Sequence, residues 1–165
     1  MAQDKITMLH GSGGQATSEL IRSVFENGFS NEVLGQMEDS AVVPGSGTIA
    51  VTTDSFVVTP LMFPGGDIGR LSVCGTVNDL LMRGADPKYL TCGFILEEGL
   101  SIDTLRTIAE SMAACADEAG VKIIAGDTKV IEGRGGLMIN TAGVGFVDCG
   151  IDIGAANAKP GDVVI

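Results

Sequence analysis

The sequence predicts one compact domain in which short strands are joined to two long helices, and three observations carry that reading. A chain of 165 residues with 45% hydrophobic content is large enough to bury one full core, and its mean hydropathy of +0.34 excludes a disordered tail. Short apolar runs rich in β-branched residues read as strands at 48–53, 89–96, 121–125 and 137–147. Two segments, 67–83 and 101–119, instead space their apolar residues at three and four and open on residues that cap helices.

In chain order, Ile6–Leu9 reads as a short strand, and the loop His10-Gly11-Ser12-Gly13-Gly14-Gln15-Ala16 leads into a helix from Thr17 to Phe25. A glycine loop entering a helix N-terminus suits an anion, because backbone N–H groups can approach it closely; a loop with no ligand is the alternative. Its G-x-G-x-x-A spacing matches a dinucleotide fingerprint, but no second apolar strand ending in an acidic residue follows at the required distance. Ala41–Pro44 and Thr48–Thr53, joined by Ser46-Gly47, read as a hairpin that would bring Asp39 and Asp54 to one end. Asp67 is the expected cap of the next helix, where Ile68, Leu71, Cys74, Val77 and Leu81 keep the helical step while Asn78-Asp79 interrupt it. A carboxylate on a helix that otherwise reads as core needs a partner: a metal, an ion pair or a backbone hydrogen bond. Ser101 should cap the second helix, and Gly120 should stop it. In the strand 137–147, Thr141, Gly143 and Gly145 share one face, where small residues permit close approach of another backbone.

The chemistry concentrates in Val121-Lys122-Ile123-Ile124-Ala125-Gly126-Asp127-Thr128-Lys129, an apolar strand that delivers a carboxylate, a hydroxyl and an ammonium. Thr52-Thr53-Asp54 repeats the pattern upstream, so two strand ends would aim Asp54 and Asp127 at one place. Hard cations take such oxygen ligands and share them with phosphates, which Lys129 would meet directly; exposed turns with Asp at their tips are the alternative.

Other classes are excluded. A net charge of −11 with no basic cluster argues against nucleic acid. No apolar run spans a bilayer, and the first residues lack the features of a signal peptide, so the expected location is the cytoplasm. Cys74, Cys92, Cys115 and Cys149 are too widely spaced for a zinc site and suit a reducing compartment. With His10 as the only histidine, a Ser-His-Asp triad is not supported.

Four ordered motifs then amount to a resemblance. Glu38-Asp39-Ser40-Ala41-Val42-Val43, Thr52-Thr53-Asp54-Ser55, Val77-Asn78-Asp79-Leu80-Leu81-Met82-Arg83-Gly84-Ala85-Asp86-Pro87 and Ala125-Gly126-Asp127-Thr128-Lys129 resemble the ATP-site signatures of the aminoimidazole ribonucleotide synthetase (PurM-like) superfamily. Within it, His10-Gly11-Ser12-Gly13-Gly14, Phe56-Val57-Val58-Thr59-Pro60 and Gly126-Asp127-Thr128-Lys129-Val130 are most similar to the HypE family of hydrogenase maturation proteins. The resemblance implies an α+β, PurM-like N-terminal domain over 1–154, with a flexible glycine-rich segment at 1–16. Its sheet would be largely antiparallel or mixed, with helices on one face, and would pair with a second copy. Residues 155–165 would be a linker and the first strand of a second domain.

It further implies ATP and Mg²⁺ as cofactors, with Asp39, Asp54, Asp79 and Asp127 holding metal and Gly11, Ser12, Gly13, Gly14, Thr53, Asn78, Thr128 and Lys129 beside the nucleotide. Lys129 and Asp127 would be the catalytic pair. In that family ATP activates the oxygen of a thiocarboxamide on a C-terminal cysteine, giving the thiocyanate that becomes an iron cyanide ligand in [NiFe] hydrogenases. Implied partners are a second copy, the carbamoyltransferase HypF and the HypC–HypD complex. Cys149 is followed by a further stretch of chain and is expected to be held within the fold, so this stretch alone would not turn over. Sibling readings are a thiamine-monophosphate kinase or the purine enzyme, and the reading from another class is a non-catalytic dimerisation and docking domain.

Overall fold

The computed structural model describes residues 5–33, 35, 45 and 47–163. The expected strand Ala41–Pro44, its hairpin with Thr48–Thr53, the ligand Asp39 and the terminal Val164-Ile165 lie outside the described residues.

A four-stranded mixed sheet forms the centre, in the order β1 (Thr48–Phe56), β6 (Leu137–Val147), β4 (Ala85–Glu97), β5 (Lys122–Ile131). β6 runs antiparallel to both β1 and β4, whereas β4 and β5 are parallel. The parallel pair requires a crossover, which α4 (Ile102–Ala119) provides. A small ribbon of β2 (Met62–Phe63) and β3 (Gly66–Asp67) leads into α3 (Ile68–Leu81).

Both long helices cover one face of the sheet. Asp67 caps α3, its Oδ1 accepting the N–H groups of Gly69 at 2.7 Å and Arg70 at 3.1 Å. Ser101 Oγ accepts the N–H of Thr104 at 3.4 Å to cap α4, and Gly120 ends α4 at φ +69°, a conformation other residues rarely adopt. The helices approach closely because Gly69 has no side chain: a Cβ there would fall 2.5 Å from the Ile108 carbonyl oxygen. Beneath them, Ile68, Val73, Leu90, Leu96, Leu105 and Ile139 are almost fully buried. Thr141, Gly143 and Gly145 belong to this covered face. Thr76 bonds the Thr141 hydroxyl, and a Cβ on Gly143 would lie 2.8 Å from Thr76 Cγ2. The small-residue row is therefore the seat of α3, and the backbone that its small side chains admit is that helix.

The N-terminal region also differs from expectation. Lys5 makes a strand-like bridge to Ser101, and Met8–Gly11 is a 3₁₀ turn where a strand is predicted over Ile6–Leu9. Ile6 is fully buried and exchanges backbone hydrogen bonds with Gly99 and Leu100, so this part of the segment expected to be flexible is pinned to the domain. The following helix is composite: α1 (Gln15–Leu20), a π-helical stretch (Ile21–Glu26) and α2 (Asn27–Phe29). At the other end, residues 148–163 are irregular apart from a 3₁₀ turn at Ala155–Asn157.

Candidate functional site

The strand order and one bulge decide where the chemistry goes. Both predicted strand ends lie inside longer strands: β1 runs through Thr52, Thr53 and Asp54, and β5 runs through Asp127, Thr128 and Lys129. Asp54 pairs with Thr141, which pairs with Cys92, so Asp54 shares the helix-covered face with them. Between Ile123 and Ala125 the β4–β5 register shifts, leaving Ile124 as an extra residue. Because side chains alternate, that residue moves the rest of β5 to the opposite set of faces. Asp127 then pairs with Gly93 and Lys129 with Ile95, both on the open face, while Thr128 pairs with buried Phe94 on the covered face.

Asp54 and Asp127 consequently occupy opposite edge strands and opposite faces. Three strand spacings of about 4.8 Å separate their backbones by roughly 14 Å, beyond the reach of ions about 4 Å apart. The single site expected to gather both carboxylates is not formed within one chain. Among the described residues, no group of three or more Asp, Glu, His or Cys side chains is placed to hold one metal ion.

The corner between β1 and α3 carries the first of two constellations. Thr52 Oγ1 donates to Asp79 Oδ2 at 2.9 Å, and Asp54 Oδ2 lies 3.6 Å from where a Gly75 Cβ would stand. Asn78 and Asp79 lie on the exposed side of α3, so Asp79 needs no compensation for burial and its partner is a hydroxyl from the neighbouring strand. All these side-chain donors are oxygens, the set that suits a hard divalent cation. Thr53 Oγ1 donates to the Thr141 carbonyl at 3.0 Å and is engaged away from this corner.

The second constellation is on β5. Lys129 Nζ bonds Asp127 Oδ1 at 2.9 Å, and both side chains are about two-thirds exposed. The Lys129 ammonium holds the Asp127 carboxyl below the usual carboxylate range, with a smaller contribution from the Thr128 N–H and partial desolvation opposing both. Behind the same strand, a Cβ on Gly11 would meet Val130 Cβ at 2.9 Å, so the glycine turn lies against β5. Two of its N–H groups are already used: Ser12 donates to the Leu9 carbonyl at 3.3 Å and Gly13 to Thr17 Oγ1 at 3.0 Å. Gly14 precedes α1.

Sequence reasoning missed Glu97 and Arg134. Glu97 accepts the N–H groups of Arg134 at 2.8 Å and Gly136 at 2.9 Å, the first bond being the larger cause of its lowered pKa. With Val57, Thr59 and Met138 they line a groove of about 410 Å³. The run Gly133-Arg134-Gly135-Gly136 was the only available signal, since glycines crowding one carboxylate imply a tight turn.

A PurM-type mixed sheet with carboxylates on two edge strands defines the class: residues 37–147 match the family model "AIR synthase related protein, N-terminal domain", and the chain belongs to that family. Within the family it is 52% identical over 165 residues to the carbamoyl dehydratase HypE of Cupriavidus necator, covering 98% of this chain and 47% of that protein. A crystal structure of the hydrogenase maturation protein HypE in complex with ATP superimposes with a TM-score of 0.90 at 48% identity, over 93% of this chain and 47% of that one. HypE in a HypE–HypF complex gives a TM-score of 0.67 at 54% identity, over 86% and 47%. The chain thus spans about half the length of the relatives it matches.

Proposed function

We propose that this chain is the ATP- and Mg²⁺-binding, dimer-forming half of a hydrogenase maturation carbamoyl dehydratase. The observation that carries the reading is the oxygen-only corner of Thr52, Asp54 and Asp79, in a chain 48% identical to a HypE that binds ATP. In this reading residues 1–154 are the nucleotide-binding domain and 155–165 lead toward a further domain. Asp54 and Asp79, with Asp39 and Asp127, would hold Mg²⁺, and Asn78, Thr128, Lys129 and the Gly11–Gly14 turn would line the nucleotide, while Thr53 stays bonded to the Thr141 carbonyl. Because Asp54 and Asp127 stand on opposite edges and faces, a site using both draws on two chains. The open sheet face supports such pairing: Ile49 and Val51 are 56% and 69% exposed there, beside half-buried Val144 and Phe146.

The reaction proposed is loss of water from an S-carboxamide on a C-terminal cysteine, giving a thiocyanate for the iron cyanide ligand. An amide oxygen leaves poorly, and ATP with Mg²⁺ supplies its phosphorylation and the neutralisation of the phosphate charge. Lys129, released from its bond to Asp127, would bind a phosphoryl oxygen, and Asp127 would then be free to meet the metal as a carboxylate. HypF follows as a partner from the similarity to the HypE–HypF complex, and the HypC–HypD complex would accept the product. The proposed setting is cytoplasmic; no described helix is long and apolar enough to cross a membrane.

Calorimetry with ATP tests the reading. Binding should need Mg²⁺, and Asp79→Asn or Lys129→Ala should weaken it about tenfold or more, the loss of one charged contact of about 1.4 kcal/mol, with circular dichroism unchanged. Dimerisation without any nucleotide affinity would favour a docking platform instead.

A further inference from the structure

Cys74 on α3 and Cys115 on α4 bring their Sγ atoms to 3.4 Å. Both thiols are free; Cys115 is buried and Cys74 is half-buried. The two helices cannot drift apart without losing the contact of Gly69 with Ile108 and Met112, so the sulfurs are held as neighbours by the core. The remaining cysteines have no such company: Cys92 is buried beneath the sheet's covered face, and Cys149 is exposed in the turn after β6.

We propose that Cys74 and Cys115 form a reversible redox modification site, closed to an α3–α4 disulfide by a low-molecular-weight disulfide. The thiolate of Cys74, the member of the pair that solvent reaches, attacks one sulfur of the small disulfide. A mixed disulfide forms on Cys74 and one small thiolate leaves, taking up a proton. The Cys115 sulfur then displaces the second small thiolate from Cys74, its proton passing to that leaving group. Two cysteine thiols are oxidised and one small disulfide is reduced to two thiols.

Burial pushes the Cys115 thiol up to about 12, from an ordinary 9.0, which makes it the resolving rather than the attacking group. That rise lowers its thiolate population, whereas the 3.4 Å approach to Cys74 gives a neighbouring group in register a high effective concentration. Proximity therefore outweighs the lost ionisation. Closure shortens the sulfur separation from 3.4 Å to about 2.05 Å, within the range of side-chain rotation and a small helix adjustment. Asn78 and Asp79 lie on the same helix, and Gly75, next to Cys74, faces Asp54 and Phe56. The cross-link would tie the helix behind the carboxylate corner to α4.

The test is incubation with excess oxidised glutathione, alkylation under denaturing conditions, and intact and peptide mass spectrometry. In Cys149→Ser, which removes the exposed competing thiol, the expected result is a loss of about 2 Da relative to the reduced chain, two fewer alkylated thiols, a Cys74–Cys115 linked peptide and full reversal by dithiothreitol. Adding Cys115→Ser should stop the reaction at a glutathione adduct on Cys74. Alkylation of all three remaining cysteines in Cys149→Ser would overturn the proposal, and so would the loss of about 2 Da persisting when Cys115→Ser is added.

Discussion

Glu97 shows how a single side chain can hold a loop that the sequence marks only as glycine-rich. Its carboxylate takes the place of missing backbone partners for Arg134 and Gly136, and those N–H groups lower its pKa. A carboxyl with a depressed folded-state pKa contributes stability that is present above its unfolded value and is lost as pH falls through the lower, folded one. Amide protection factors at Arg134 and Gly136, taken relative to the intrinsic exchange rate at each pH, should therefore stay high at neutral pH and fall on acidification through the carboxylate range, and Glu97→Gln should remove that pH dependence. At Gly69, the near-contact with the Ile108 carbonyl leaves no room for a methyl group. Gly69→Ala should destabilise the domain by about 1–3 kcal/mol, the usual scale for overpacking, which chemical denaturation would measure.

At the scale of elements, caps behave as local rules and faces do not. Asp67 takes two N–H groups at the start of α3, so Asp67→Ala should cost about 1 kcal/mol of stability, read in the same denaturation experiment. The bulge at Ile124 works differently. Strict alternation from Val121 would place Asp127 on the covered face beside Ile123, but the extra residue carries Asp127 and Lys129 outward and Thr128 and Val130 inward. A chain lacking Ile124 should fold less stably and lose the Mg²⁺-dependent ATP binding proposed above. Retained binding by that deletion would show that the face of β5 is irrelevant to the nucleotide.

At the scale of the molecule, both long helices take one sheet face, and among the described residues no helix packs on the other. Ile49, Val51, Ile95 and Ile131 are each at least 39% exposed there, in a patch of the kind that marks an interface. Sedimentation should find a dimer, and a charge at the centre of the patch, Val144→Asp, should shift it to monomer while leaving the monomer's circular dichroism unchanged. A monomeric wild-type chain at high concentration would remove the two-chain site from consideration.

The sequence by itself determined the features that depend on neighbours along the chain. These are the caps at Asp67 and Ser101, the stop at Gly120, the helical stripe of α4, the strand Leu137–Val147 and the family motifs. Tertiary structure alone decided which residues meet. β6 inserts between β1 and β4, which pushes Asp54 to one edge while β5 takes Asp127 to the other. The same packing turned the row of Thr141, Gly143 and Gly145 toward α3 and left Cys149 exposed where a held position is expected. The physical reason is that alternation and capping are read over a few residues, whereas strand order and register are set by burying the whole apolar surface at once, and one unpaired residue at Ile124 is enough to reverse a face.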